Sequence, residues 1–347
     1  MNRPQCPCRT RQRTASLASV LLAVALGAAV GAFAQPLPVP PWASKPNLAQ
    51  RDYDLKPRQL ARGTWVIEGA VADFSLENGC NIINTAFIDT GDGVVVINTG
   101  PSRHYGEQQR RAIARITRAP VRKVWQLNLH PDYFFGHQAW ADTPTEALAG
   151  TIAGARAEGA AYADNLYRLC GDWMQGTEPT PARHALETKD WPVTVTLGAH
   201  RFELWQMSGH TDDDLVVLDT TTGILFAGGL VFAERVPTTP HARFGAWLAS
   251  LDRLEDWVRQ GRVKWVVPAH GPVHEGAAGI RQTRDWLRWL QQAMDEAAEQ
   301  GLDLSEVLER PAPERFTRWA AYPAELQRTL SQWYPAAEKK ALTAPRP

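Results

Sequence analysis

The sequence contains few cysteines and no excess of charge of either sign. Its 347 residues include four cysteines, 37 Lys+Arg and 37 Asp+Glu. Without net charge or a block of like charges, the chain offers no electrostatic footprint for nucleic acid or an anionic membrane surface. The 44% of hydrophobic residues exclude a disordered chain or a collagen-like repeat. We therefore expect a folded protein with no nucleic-acid partner.

Long apolar runs are also rare, and the only one able to span a bilayer lies at the N-terminus. Four arginines between residues 3 and 13 precede an Ala/Leu/Val-rich run over residues 17–32, and Ala32-Phe33-Ala34 ends this run with a small-x-small pattern. These features predict a secretory signal peptide over residues 1–34, cleaved after Ala34. The alternative is an uncleaved anchor, because residues 15–34 are long enough to cross a membrane. After cleavage, we expect a periplasmic or secreted protein without an integral membrane domain.

Cleavage would leave Cys80 and Cys170 as the remaining cysteines, in a chain with a formal charge of −4. In an oxidising compartment this pair could form a disulfide, and closing so long a loop contributes about 4 to 5 kcal/mol in the loop-entropy model. The alternative is two buried free thiols, because sequence alone does not show that their Cβ atoms meet. Neither reading provides a cysteine-rich metal site.

Strand-like and helical segments alternate through most of the chain. Residues 35–59 are a proline-rich lead, residues 60–275 contain the alternating segments, and residues 276–347 are almost wholly helical. This alternation, in two halves, predicts two packed sheets with helices outside, followed by a C-terminal helical extension. The turn residues at 90–93 predict a hairpin. The predicted strands are 64–70, 82–89, 94–98, 121–129, 193–207, 215–219, 224–232 and 263–267, and the predicted helices are 107–117, 145–169 and 244–260.

Residues that bind metals follow three of these strands. Asn128, His130 and Asp132 come at the end of one strand, and alternate residues of an extended segment face the same way. His210 and His270 follow two other strands in glycine-flanked turns. A lone histidine in such a turn is more often a hydrogen-bonding residue than a ligand. Together, however, three histidines and an aspartate at strand ends favour a metal such as zinc.

With these motifs, residues 60–275 resemble the metallo-β-lactamase superfamily. The resemblance implies a four-layer αββα sandwich, an α/β (α+β) fold with its metal site at one edge between the sheets. It also implies a hydrolase that uses one or two zinc ions. The motifs are residues 97–100, His130-Pro131-Asp132 with Gly136, Gly209-His210-Thr211, residues 225–229 and His270-Gly271.

The chain is more narrowly similar to the exported quinoprotein relay system zinc metallohydrolases. This similarity is carried by residues 78–81, the His-Pro-Asp form of the turn, residues 165–170 and residues 237–241. It implies that a periplasmic quinoprotein dehydrogenase, or its electron acceptor, is a partner.

This chain has other residues at three positions where the superfamily has metal ligands. Asn128 and Tyr133 stand where histidines are expected, and Gly229 stands where an acid bridges two metals. Replacement ligands could come from Asn128, Tyr133, His137 or His241, although each is more typical of a surface or hydrogen-bonding residue.

Four ligands of the superfamily remain, two for each metal. The resemblance assigns His130 and His210 to the first metal, and Asp132 and His270 to the second. Two dications held by so few ligands, without a bridging acid, would repel each other. We therefore expect a single zinc ion.

The resemblance implies hydrolysis of an ester- or amide-like small molecule by a metal-activated water. Bound zinc lowers the pKa of water from 15.7 towards about 7. The family position implies that Asp132 orients or deprotonates this water, while Asn128 or Tyr133 could stabilise the oxyanion. The alternative, suggested by the replaced ligands and the tryptophan-rich tail, is a non-catalytic binding or accessory protein.

Overall fold

The computed structural model describes residues 42–343, which form two β-sheets with helices on their outer faces. The predicted signal peptide, the start of the proline-rich lead and residues 344–347 lie outside the described residues. Within residues 42–343, no helix combines the length and apolar character needed to cross a membrane.

The first sheet contains seven strands in chain order. Its first four strands are antiparallel, and β4 to β7 run parallel. The predicted hairpin turn at 90–93 joins the third and fourth strands. The strands are β1 (Arg58–Ala61), β2 (Thr64–Ile67), β3 (Thr85–Asp89), β4 (Val94–Ile97), β5 (Val121–Trp125), β6 (Thr145–Leu148) and β7 (His184–Leu186).

The second sheet contains six strands, also in chain order. All neighbours are antiparallel except β11 and β12, which are parallel because helix α4 crosses between them. The strands are β8 (Val193–Leu197), β9 (His200–Met207), β10 (Asp214–Asp219), β11 (Ile224–Phe232), β12 (Trp265–His270) and β13 (His274–Glu275).

Eight α-helices connect and cover the sheets. Within residues 42–343, three of these helices are short, with four or five residues, and five have 14 residues or more. They are α1 (Arg103–Ile116), α2 (Pro131–Phe134), α3 (Ala149–Cys170), α4 (Phe244–Arg259), α5 (Ala278–Glu299), α6 (Leu304–Leu308), α7 (Glu314–Thr317) and α8 (Ala324–Thr343).

The main core lies between the sheets and positions the strand ends. On β4, Val95 and Ile97 pack in one cluster with Phe226 of the second sheet, whereas Val96 packs with Ile113 of α1. An entirely apolar strand forms here because both of its faces are covered. Helices cover the outer face of each sheet, so the predicted αββα architecture is confirmed.

The C-terminal helices pack on the outer face of the second sheet. Trp286 of α5 is fully buried and lies near Trp319 and Phe316, with ring centroids 6.0 and 5.1 Å away. Leu330 of α8 is buried in the same cluster. The helical extension is therefore part of a continuous core, in which its central tryptophan is a packing residue.

Several element boundaries differ from the sequence-based expectation. Residues 145–148, expected to begin a helix, form β6, because parallel pairing with β5 and β7 gives their backbone groups partners. The strand expected over 193–207 is two strands, divided by a turn at Gly198, where φ is 52°. The strand expected to end at residue 129 ends at Trp125.

Candidate metal centre and its cavity

His130 and Asp132 lie beyond the carboxyl end of β5. His130 has an extended backbone and directly precedes α2, which Pro131 begins. Proline is favoured at this position because the first N–H groups of a helix have no partner within it. Asp132 lies in the first turn of α2, and both side chains are buried. The tight turn brings an imidazole and a carboxylate to the same edge of the sandwich.

His210 lies in the turn between β9 and β10, and Asp214 holds this turn in shape. The backbone N–H groups of His210 and Thr211 each donate to Asp214 Oδ2 at 3.0 Å. The Thr211 hydroxyl donates to Asp214 Oδ1 at 3.1 Å. Sequence reasoning missed Asp214, although an acid at the start of an otherwise apolar strand was a usable signal.

His270 is the last residue of β12. Its Nδ1 donates to the carbonyl oxygen of Ile82 at 2.9 Å, and since a carbonyl only accepts, the lone pair lies on Nε2. This Nε2 lies 3.6 Å from Asp132 Oδ2. A backbone partner on one ring nitrogen is the usual way to orient a metal-binding histidine.

These four side chains form two adjoining pairs. The rings of His130 and His210 lie 4.6 Å apart and nearly perpendicular, while Asp132 and His270 form the second pair. Within residues 42–343, no three His, Cys, Asp or Glu side chains already surround a common point. The structure thus brings the four predicted ligands to one edge without assembling a finished coordination shell.

Three of the donor atoms are buried and have no hydrogen-bond partner among residues 42–343: His130 Nε2, Asp132 Oδ2 and His210 Nε2. Such atoms are rare in folded proteins because desolvating a polar atom without pairing it costs free energy. Two imidazole nitrogens and a carboxylate oxygen are a donor set that suits a borderline divalent cation. These residues therefore fit a divalent metal ion in their donor chemistry, while their side chains do not yet surround a common point.

The electrostatics of the site follow from its burial. Burial lowers the pKa of His130, His210 and His270 well below the usual value, which favours neutral imidazoles, the form that coordinates metals. Burial also raises the pKa of Asp132 to about 7.

The positions that lack the family ligands have structural roles. Asn128 Nδ2 donates to Asp214 Oδ1 at 2.6 Å, and Asn128 Oδ1 accepts the backbone N–H of His130 at 3.1 Å. At Gly229, a Cβ atom would lie only 2.0 Å from His210 Nδ1. The His210 ring therefore fills the space that a side chain on Gly229 would need.

The other residues considered from the sequence lie in different surroundings. Tyr133 is fully buried beside His270, with ring centroids 6.5 Å apart, and its hydroxyl has no partner. His241 lies next to His130, with ring centroids 5.5 Å apart, and its Nε2 is 3.2 Å from the Tyr162 hydroxyl. His137 donates from Nδ1 to the Thr180 carbonyl and lines a different cavity. The structure thus brings His241, but not His137, to the four ligands.

A cavity of about 440 Å³ opens over the site. Helices α3 and α8 form much of its wall, so the C-terminal extension contributes directly to the site. Asn128 and Tyr133 are not among the residues that line it. The lining residues are Asp73, Phe74, Ile82, His130, Pro131, Asp132, Tyr162, Asn165, Arg168, Leu169, His210, Arg235, Thr238, Thr239, Pro240, His270, Glu325, Arg328, Thr329 and Gln332.

Arg235 is a buried cation in this cavity that sequence reasoning missed. Its side chain is 1% exposed and donates to the carbonyl oxygens of Ala72 and Val236, at 2.9 and 3.1 Å. It also faces Glu325 Oε1 at 3.6 Å and Asp73 Oδ1 at 3.5 Å. This network links the edge that carries the candidate ligands to α8, and no local sequence pattern could have indicated it.

One wall of the cavity is braced by a disulfide. Cys80 and Cys170 are bonded, with their Cα atoms 5.9 Å apart. Cys170 ends α3, which carries the cavity residues Arg168 and Leu169, and Cys80 lies close in sequence to Ile82. The bond therefore joins two segments that line the cavity.

A protein-family model matches a large part of this chain. The family model of the metallo-beta-lactamase superfamily matches residues 78–270, more than half of the chain. No curated protein matches the chain.

Solved structures with the same fold include three metallo-beta-lactamases. The one from Pontibacter korlensis is 22% identical, with a TM-score of 0.54, and the match covers 67% of this chain and 99% of that one. The one from Hirschia baltica is 18% identical, with a TM-score of 0.51, and the match covers 67% of this chain and 97% of that one. The one from Pseudomonas aeruginosa, in its mono-zinc form, is 20% identical, with a TM-score of 0.52, and the match covers 67% of this chain and 95% of that one. From its fold and its family-model match, this chain belongs to the metallo-beta-lactamase superfamily.

Proposed function

We propose that the protein is an exported, zinc-dependent hydrolase that acts on an ester- or amide-like small molecule. One observation carries this proposal: three buried, unpartnered donor atoms of His130, Asp132 and His210 lie at the base of a cavity of substrate size. A protein that had abandoned metal binding would gain stability by pairing or replacing such atoms.

His130, Asp132, His210 and His270 would hold one zinc ion. When bound, zinc supplies an activated water and polarises the scissile carbonyl. Drawing the two pairs of ligands together requires side-chain rotation, because they do not yet share a common point. His241 lies close enough to His130 to serve as an additional ligand or as a hydrogen-bonding neighbour.

The protein residues perform the remaining tasks. Asp132 has two carboxylate oxygens, so if one binds the ion, the other can accept the proton of the attacking water. Tyr162 lines the cavity and carries a hydroxyl donor suited to a developing oxyanion. Asn128 acts indirectly, since its amide holds both Asp214 and the backbone of His130.

Two finer elements of the proposal rest on sequence alone. The N-terminal leader motif supports export to the periplasm or beyond the cell. Similarity to the quinoprotein relay system zinc metallohydrolases supports a role beside a periplasmic quinoprotein dehydrogenase or its electron acceptor. Co-purification with the dehydrogenase encoded nearest to this gene would test that role.

Metal stoichiometry tests the central proposal. Mature protein reconstituted with excess zinc and then desalted should retain one equivalent by mass spectrometry, and His130→Ala and His210→Ala should retain far less. His184→Ala is the matched control, because His184 is exposed on β7, and it should bind zinc like the wild type. Wild-type protein that holds clearly less than one equivalent would refute the proposal.

A second candidate function is that of a non-catalytic accessory protein on the same fold. It is favoured by the close approach of His210 to Gly229, which leaves no space for a bridging acid. If the protein is non-catalytic, zinc-loaded wild type and zinc-treated His130→Ala should hydrolyse 4-nitrophenyl acetate at the same slow rate. A clear loss of rate in the variant would instead support the hydrolase.

A further inference from the structure

Helix α8 presents a polar face to the cavity. Its cavity-lining residues follow the spacing of one helical face, since they lie three, four and seven positions after the first. Apolar residues on the other side of the helix are buried in the core against the second sheet. The polar residues are Glu325, Arg328, Thr329 and Gln332, and the apolar residues are Leu326, Leu330 and Tyr334.

This wall is firmly attached to the loop that crosses the site. The hydroxyls of Thr329 and Thr239 lie 2.7 Å apart, and Gln332 Nε2 donates to the Pro240 carbonyl at 2.7 Å. The Trp333 indole N–H donates to the Thr239 carbonyl at 3.0 Å. The polar face is therefore a fixed part of the cavity, and it lies outside the segment matched by the family model.

The charges in the cavity are unevenly compensated. Three carboxylates and three arginines line it. Arg328 donates to Glu325 Oε1 at 2.8 Å and to Asp73 Oδ2 at 2.9 Å, and Arg235 faces the same two acids. Asp132 belongs to the ligand group. Arg168 is thus the cavity cation that these acids do not neutralise.

Arg168 is well placed to bind an anion. Its side-chain hydrogen bond goes to the neutral Asn165 Oδ1, at 2.6 Å. Among residues 42–343, no carboxylate lies within ion-pair distance of its guanidinium. Phe74, Ile82 and Leu169 line the same cavity and give it apolar surface. The cavity lining thus combines apolar side chains with the exposed guanidinium of Arg168 and with the candidate ligands.

We propose that Arg168 binds a carboxylate of the substrate, so that the substrate class is small carboxylates with an apolar body and a hydrolysable bond. This proposal rests on the hydrolase function above and names its substrate class. A guanidinium binds a carboxylate through parallel N–H donors, which fixes orientation as well as charge. Arg328 also lines the cavity, but Glu325 and Asp73 balance its charge, so Arg168 is the arginine available to the substrate.

Ligand binding to the metal-free mature protein tests the proposal, because no metal can then hold the carboxylate. Isothermal titration calorimetry would compare 4-phenylbutyrate with its neutral isostere 4-phenylbutyramide. The wild type should bind the acid at least about fivefold more tightly than the amide. Added salt should weaken the binding of the acid and leave the binding of the amide unchanged. Arg168→Gln should remove the preference, with circular dichroism confirming an unchanged fold.

Arg156→Gln is the matched control, because Arg156 is exposed on the same helix and does not line the cavity. It should keep the wild-type preference for the acid. Equal binding of acid and amide by the wild type, or an unchanged preference in Arg168→Gln, would overturn the proposal. Since no zinc or turnover is involved, this result is independent of whether the metal-stoichiometry test succeeds.

Discussion

At the scale of single residues, Asn128 and Gly229 pack directly against residues of the candidate site. The His210 ring occupies the space next to the Cα atom of Gly229, so a side chain there would displace it. Asn128 is the hydrogen-bond partner of Asp214 and of the His130 backbone. Both residues therefore help to set the positions of the candidate ligands His130 and His210.

We expect Gly229→Ala to lower the free energy of unfolding by about 1–3 kcal/mol, because its Cβ would lie 2.0 Å from His210 Nδ1 and force the ring to move. Urea denaturation measures the change. Gly245→Ala in α4 is the control, since no atom lies within 4 Å of its Cβ. It should be neutral, or stabilising by up to about 1 kcal/mol. Equal stabilities of the two variants would contradict this packing.

Asn128→Ala should destabilise the protein by about 1–3 kcal/mol, because it leaves the buried Asp214 carboxylate without a donor at 2.6 Å. Chemical denaturation of the mature protein checks this. Gln292→Ala removes an exposed side-chain hydrogen bond on α5 and should change stability by less than about 0.5 kcal/mol. A similarly small effect at Asn128 would mean that its hydrogen bonds do not hold the turn.

At the scale of elements, α8 belongs to the folded core. Leu330 is 4% exposed and Leu342 is 77% exposed on the same helix. We expect Leu330→Ala to cost about 2–4 kcal/mol and Leu342→Ala almost nothing. Thermal unfolding followed by tryptophan fluorescence and by circular dichroism measures both. An autonomous helix would make the two variants indistinguishable.

The disulfide should stabilise the elements that it joins. Cys80 and Cys170 are 90 positions apart, so their bond constrains a long loop of the unfolded chain. The double variant Cys80→Ala/Cys170→Ala should lose about 2–5 kcal/mol. Reductant should lower the stability of the wild type and leave the double variant unchanged. A reductant effect of equal size in both proteins would exclude this bond as its cause.

Sequence patterns predicted most elements because their signals are local. The hairpin around residues 90–93 was predicted because Asp and Gly tolerate the turn conformation. Residues 145–148 were wrongly assigned to a helix, because their strand state depends on neighbours far away in the chain. The division of residues 193–207 was missed because one glycine is a weak break signal.

At the scale of the whole molecule, we expect zinc to raise the unfolding temperature. The four proposed ligands would bind the ion in the folded protein and not in the unfolded chain, so binding would stabilise the folded state. Free zinc at one hundred times its dissociation constant would add about 2.7 kcal/mol. His130→Ala should lose this shift, and His184→Ala should keep it. Magnesium, which prefers oxygen ligands, should have no effect. An equal shift in His130→Ala would place the ion elsewhere.

The sequence by itself determined the fold class, and it singled out the four candidate ligands and the two cysteines, because these depend on periodicity and on short motifs at strand ends. Tertiary structure alone decided that His241 lies beside His130 while His137 faces another cavity. It also decided that Asp214, Arg235 and the polar face of α8 belong to the site. The physical reason is that contacts between distant segments form only when apolar faces pack together, and a linear pattern does not record which charged side chains that packing brings together.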